Sequence, residues 1–126
     1  MEMAKAVLVV DDNSAVRDAI CKLFTSETDF KICGQAENGR DAIEKAYQLR
    51  PDLIILDLSM PDMNGLEAAR FIGAIMPDVP IIMFSDYADA LKTEGARSAG
   101  IAAVVPKEHP SMLIAKARSV LARRAS

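Results

Sequence analysis

Short apolar runs along the chain alternate with longer segments in which apolar residues recur every three to four positions. Residues 6–10 (AVLVV) form the first run, end in Asp11, Asp12 and Asn13, and predict a buried strand. In residues 14–26, Val16, Ile20, Leu23 and Phe24 fall on one helical face. Residues 30–36 predict a second strand. Asn38-Gly39 then opens a helix over 40–50, with Ala42, Ile43, Ala46 and Leu49 on one face, and Pro51 ends it. The runs at 53–56 and 81–84 have no polar alternation, as in parallel strands covered on both sides. Between them lie a turn at 61–65, a helix at 66–76 and a link punctuated by Pro77 and Pro80. A fourth helix is expected over 88–98, closed by Gly100, then a strand at 102–105. A last helix starts near Pro110 and runs to about Arg123.

Five strand-helix alternations without a repeat or linker predict one α/β domain over residues 1–126, a doubly wound parallel sheet with helices on both faces. Such sheets place their sites at the C-terminal ends of the strands, near a topological switch point. Composition narrows the class. With 126 residues, 51% hydrophobic and 26% charged, the chain has the balance of a soluble globular domain rather than of a disordered tail. No apolar stretch approaches the roughly 20 residues a spanning helix needs, and the N-terminus has no leader pattern, so a cytoplasmic location with no membrane contact is expected. A net charge of −3 carries no footprint for nucleic acid. Lys116, Arg118, Arg123 and Arg124 read as a solvated helix face or helix-end charges. Cys21 and Cys33 lie inside apolar patterns without metal-ligand spacing and read as buried free thiols in a reducing compartment.

At the predicted strand ends stand Asp11 and Asp12, then Asp57, Ser85 and Lys107. Each alone has a bland explanation, as an N-cap, a turn former or a surface amine. Capping does not account for three acids, a hydroxyl and a lysine at the ends of four strands. Three converging carboxylates stay ionised together only around a cation, and hard oxygen ligands favour Mg²⁺. A carboxylate nucleophile with Mg²⁺, a lysine and a hydroxyl is the equipment of phosphoryl transfer, which depends mainly on alignment and charge neutralisation.

Four segments, VLVVDDNSAVRDAI, ENGRDAIEKAYQLRPDLIILDLSMPDMNGLEAAR, PIIMFS and AGIAAVVPK, resemble the response-regulator receiver domains over essentially the whole chain. The long middle segment, with its acid followed by an M-P-x-M-x-G turn, is the most specific. It is most similar to receivers that usually carry a C-terminal helix-turn-helix output domain, which is absent from these 126 residues; a stand-alone regulator and an excised piece are both compatible with that. The resemblance implies a flavodoxin-like strand order 2-1-3-4-5 and phosphorylation of Asp57 by a histidine kinase or another phosphodonor. It implies Mg²⁺ held by Asp12, Asp57 and the backbone carbonyl of Ser59, with Asp11 supporting the site and holding water or metal. It further implies that Lys107 pairs with the phosphoryl oxygens and that Ser85 moves to bond one of them. The output surface would be the fourth helix, fifth strand and last helix. Expected partners are a histidine kinase or phosphotransfer protein, an output partner not specified by the sequence, and a second copy on phosphorylation. Direct nucleic-acid binding would need an output domain.

The chain departs from the family pattern at three places. Asp86 follows Ser85 where a small residue is usual. Facing the site, its charge would oppose the phosphorylated state; facing solvent, it would cap the helix at 88–98, the orientation that avoids the repulsion. Val104 occupies the position of an aromatic switch residue, which leaves Tyr87 as the aromatic expected to report activation. Pro106 precedes Lys107 and Glu108 follows it, and without proline a cis Lys107-Glu108 bond would cost about 2.5 to 4 kcal/mol.

Three other functions compete. An aspartate-nucleophile phosphatase would be a turnover enzyme, but DDNSA does not match D-x-D-x-T. A receiver-fold interaction module regulated without phosphorylation is the stronger competitor because of Asp86 and Val104. A flavin-binding module lacks its phosphate loop after the first strand.

Overall fold

The computed structural model describes residues 3–60, 63–86 and 99–125. Strands β1 (Lys5–Val10), β2 (Phe30–Ala36), β3 (Leu53–Leu56), β4 (Ile81–Ser85) and β5 (Ile101–Pro106) form one parallel sheet in the order β2-β1-β3-β4-β5. Helices α1 (Ser14–Thr25), α2 (Gly39–Leu49), α3 (Gly65–Ile75) and α4 (Met112–Ala125) cover it. The order reverses direction between β1 and β3, which opens a crevice at their C-terminal ends. The predicted helix over 88–98, Tyr87 and the first residues of the 61–65 turn lie outside the described residues. Among those described, no helix is long and apolar enough to cross a membrane.

Unbroken apolar runs arise because successive strand residues feed two different cores. Leu8, Val10, Ile54, Leu56, Ile81 and Met83 pack under α2 and α3, while Val7, Val9, Leu53, Ile55, Ile82 and Phe84 pack with α1 and α4. Every one of these twelve side chains is at most 4% exposed, so neither face tolerates a polar alternate. Three helices start on an asparagine. Asn13 accepts from the Ala15 and Val16 N–H groups, Asn38 from Asp41 and Asn64 from Glu67. These caps fix where each helix begins and so set where the loops at the site end.

Several sequence expectations need correction. β4 extends to Ser85 and β5 runs from Ile101 to Pro106, one residue longer at each end than read, because the β4–β5 ladder continues to the Ser85–Pro106 pair. Cys21 and Cys33 are free but half-buried rather than buried, and burial pushes both thiols up. They pack against opposite cores. Arg118 is not merely solvated. Its guanidinium bridges Glu27 at 2.6 Å and Asp29 at 2.9 Å and lies over the Phe30 ring, tying α4 to the start of β2. Gly100, expected to close a helix, has a φ of 79°, a conformation glycine adopts at little cost.

Candidate functional site

The site is built at the C-terminal ends of β1, β3, β4 and β5. β1 is extended past Val10 by the Asp11 N–H donating to the Ala36 carbonyl at 3.1 Å, and β3 by the Asp57 N–H donating to Val10 at 3.0 Å. These two bonds set Asp11 and Asp57 side by side on adjacent strands. The Lys107 N–H donates to the Ser85 carbonyl at 3.1 Å, which carries β5 past Pro106 and brings the lysine to the same rim.

Carboxylate oxygens of Asp11, Asp12 and Asp57 all lie within 4.8 Å of one another. Asp11 and Asp57 are buried, at 1% and 4% exposure, whereas Asp12 is exposed. The Lys107 ammonium sits 3.0 Å from Asp11 Oδ2 and 3.4 Å from Asp57 Oδ1. Asp11 Oδ1 accepts the Asn13 N–H at 2.9 Å, while Oδ2, wholly buried, has the ammonium beside it and accepts no well-aligned hydrogen bond. Three carboxylates against one ammonium leave two negative charges, which suits one divalent cation, and a buried carboxylate oxygen short of donors fits the same group.

Electrostatics mark Asp57 as the unusual acid. Desolvation by burial, then the neighbouring Asp11 carboxylate, push its pKa up to about 6, against the opposing pull of Lys107 and the Ser59 N–H. Desolvation works against the Lys107 ammonium, but Asp11 and Asp57 together outweigh it and raise its pKa. The lysine therefore stays charged between the two acids.

Ser59 is exposed and lines an open cleft with Asp12, Leu58, Met60 and Asn64. Ser85 is buried, 1% exposed, at the end of β4. Asp86 is exposed and stands outside the cluster of three carboxylates, as its solvent-facing reading expects. Val104 is half-buried against the α2–α3 core. No cis peptide bond occurs among the described residues, so Lys107 reaches both acids across a trans bond to Glu108.

Two features of the site were not read from the sequence. Gly65 is one. A Cβ there would lie 2.3 Å from the Asp57 carbonyl oxygen and 2.8 Å from Leu58 Cα, both backbone, and the Gly65 N–H already donates to Leu58 at 2.7 Å. Gly65 thus closes against the strand end that carries Asp57. Gly65→Ala should cost about 1 to 3 kcal/mol, as overpacking against a fixed backbone does, and slow phosphoryl acceptance by displacing Asp57. Denaturant midpoint and labelling rate check this, and a variant unchanged in both would remove Gly65 from that role. Arg17 is the other. It donates from Nη1 to the Asp11 carbonyl at 2.7 Å and from Nε to Gln35 Oε1 at 3.1 Å. A cation this early in α1 opposes the helix dipole, and that misfit is the signal the sequence offered.

Comparison with known proteins agrees with this geometry. Residues 7–118 match the family model of the response regulator receiver domain. The chain is 45% identical over 103 residues to a protein-glutamate methylesterase/protein-glutamine glutaminase of Nocardioides sp., spanning 80% of this chain and 28% of that protein. It is 35% identical over 111 residues to the response regulator protein VraR of Staphylococcus saprophyticus, spanning 88% of this chain and 53% of VraR. It thus spans from about a quarter to about half the length of these relatives. The crystal structure of the response regulator domain of Thermotoga maritima CheB superposes with a TM-score of 0.87 at 30% identity, covering 94% of this chain and 97% of that one.

Proposed function

Because the chain belongs to the response regulator receiver domain family, we propose that residues 1–126 act as one phosphoacceptor domain with Asp57 as the acceptor. The observation that carries this reading is the Asp57 carboxylate, buried at the switch point between two acids and bridged to Asp11 by Lys107. Receivers take phosphoryl groups from histidine kinases, and such a kinase or a phosphotransfer protein is the donor here. An Asp57 carboxylate oxygen attacks phosphorus, the new O–P bond forms as the donor's N–P bond breaks, and the bonding pair leaves with the imidazole.

The chain's residues then divide the work. Asp12, Asp57 and the Ser59 carbonyl would hold Mg²⁺, with Asp11 behind them. When bound there, Mg²⁺ would neutralise phosphoryl charge and orient the phosphoryl oxygens. Lys107, freed from part of its pairing with Asp57 as that carboxylate becomes an acyl phosphate, pairs with a phosphoryl oxygen. Ser85 at the end of β4 is the hydroxyl that reorients toward it. Phosphorylation replaces the single negative charge of the Asp57 carboxylate with about two on the phosphoryl group, and that added charge, through Ser85 and β5, drives the change in output surface. The domain makes no turnover of its own beyond loss of its phosphoryl group, acts in the cytoplasm, and passes the signal to an output partner, a second copy among the possibilities.

Acetyl phosphate tests the reading directly. With Mg²⁺ present, intact mass should rise by one phosphoryl group per chain, and chelation should abolish the rise. No label under these conditions would favour the interaction module instead. Steady release of phosphate from phosphate esters would favour the phosphatase.

A further inference from the structure

We infer that Arg17 is a positioning residue for the metal-binding loop, acting through the Asp11–Asp12 peptide. The inference rests on the reading of Asp12 as a Mg²⁺ ligand.

Asp11 is restrained at every polar atom. Its N–H bonds the Ala36 carbonyl, Oδ1 accepts from Asn13, Oδ2 faces Lys107, and its carbonyl accepts from Arg17 Nη1 at 2.7 Å. Asp12 differs. Its side chain is exposed, and among the described residues no hydrogen bond or ion pair holds it. What aims the Asp12 carboxylate is therefore its backbone, and the orientation of the preceding peptide is set by the carbonyl that Arg17 grips.

Arg17 is itself anchored. Its Nε donates to Gln35 Oε1 at 3.1 Å, and the Gln35 carbonyl accepts from Lys45, which pairs with Asp41 at 3.3 Å on α2. The half-buried guanidinium uses its planar fork to join the end of β1 to the end of β2, a geometry that a point charge does not reproduce. The cation thus sits where a helix start would ordinarily favour an acid, which gives its presence a reason other than helix stability.

The sign of one measurement separates positioning from charge. Deleting a cation near a divalent-metal site raises metal affinity if only Coulomb forces act. Loss of positioning lowers it, by about tenfold to a hundredfold for residues that orient ligands. Titration of Mg²⁺ into the full chain by calorimetry, for wild type, Arg17→Ala, Arg17→Lys and Gln35→Ala, reads this directly, with thermal unfolding in parallel. Arg17→Ala should bind Mg²⁺ about tenfold or more weakly, Arg17→Lys should recover part of the loss, and Gln35→Ala should show a smaller fall with the guanidinium still in place. Affinity unchanged or raised in Arg17→Ala, with or without a fall in melting temperature, overturns the inference. If Arg17→Ala does not fold, unchanged affinity in both Gln35→Ala and Arg17→Lys overturns it. Wild-type protein that binds no Mg²⁺ sinks the metal-dependent reading of the site and this inference with it, whereas wild-type binding matched by the variants sinks the inference alone.

Discussion

Asp57→Asn should yield a folded protein that takes no phosphoryl group and, without metal, is more stable than wild type at neutral pH. The amide keeps the shape of the side chain but removes the attacking oxygen. Stability changes because Asp57 is ionised only at a cost. Its folded pKa, about 6, lies above the ordinary carboxylate value of 3.8, so the folded state holds the proton more tightly than the unfolded chain. The stability contributed by that proton is fully present below the unfolded value and is lost as pH rises through about 6. At roughly 1.4 kcal/mol per unit, the loss is on the order of 3 kcal/mol. The asparagine is neutral throughout and avoids it. Urea unfolding of both proteins in chelator should therefore show a stability difference that is small near pH 4 and opens by roughly 2 to 3 kcal/mol above pH 7. A difference that stays flat with pH would refute the electrostatic account. Labelling of the variant at the wild-type level would refute the acceptor assignment.

Asp12→Ala should have the opposite profile, with metal binding lost and stability kept. Lys107 lies between Asp11 and Asp57, so the ammonium compensates those two acids while Asp12 faces solvent beside them. Removing Asp12 relieves repulsion and breaks no contact among the described residues, so metal-free stability should hold or rise slightly. Mg²⁺ binds through few protein oxygens and gives up water reluctantly, so losing one ionised ligand should weaken it by roughly 3 kcal/mol, about a hundredfold. Acetyl phosphate labelling should fall with it. Asp11→Ala makes the contrast, because it removes the nearer of the two carboxylates paired with Lys107 and the acceptor of the Asn13 N–H, and should destabilise the fold. Calorimetric titration of both variants checks the pair, and Mg²⁺ affinity in Asp12→Ala equal to wild type would remove it from the ligand set.

Much of this protein was legible in its sequence because two periods and a few punctuating residues carry the information. Apolar runs without polar alternation specified strands buried on both faces, and both cores bear this out at Leu8 and Val9, Ile54 and Ile55, Met83 and Phe84. Asn38 marked a helix start because a short side-chain oxygen satisfies the free N–H groups of a first turn, whereas the same capping by Asn13 and Asn64 emerged only in the structure. Alternation of these elements carried the fold class, and the fold class confined the search to strand ends, where Asp11, Asp12, Asp57, Ser85 and Lys107 stand. Other matters were decided only in three dimensions, since they depend on atoms distant along the chain. The Lys107 ammonium reaches Asp11 and Asp57 across the sheet, Gly65 closes against Asp57 at 2.3 Å from where a Cβ would lie, and Arg118 bridges to Glu27 and Asp29 some ninety positions away. The division among the three acids has the same origin. As letters in a sequence Asp11, Asp12 and Asp57 are equal, but the strand ladder buries two of them beside one lysine and leaves the third in water, and it is burial, with Asp11 beside it, that raises the Asp57 pKa.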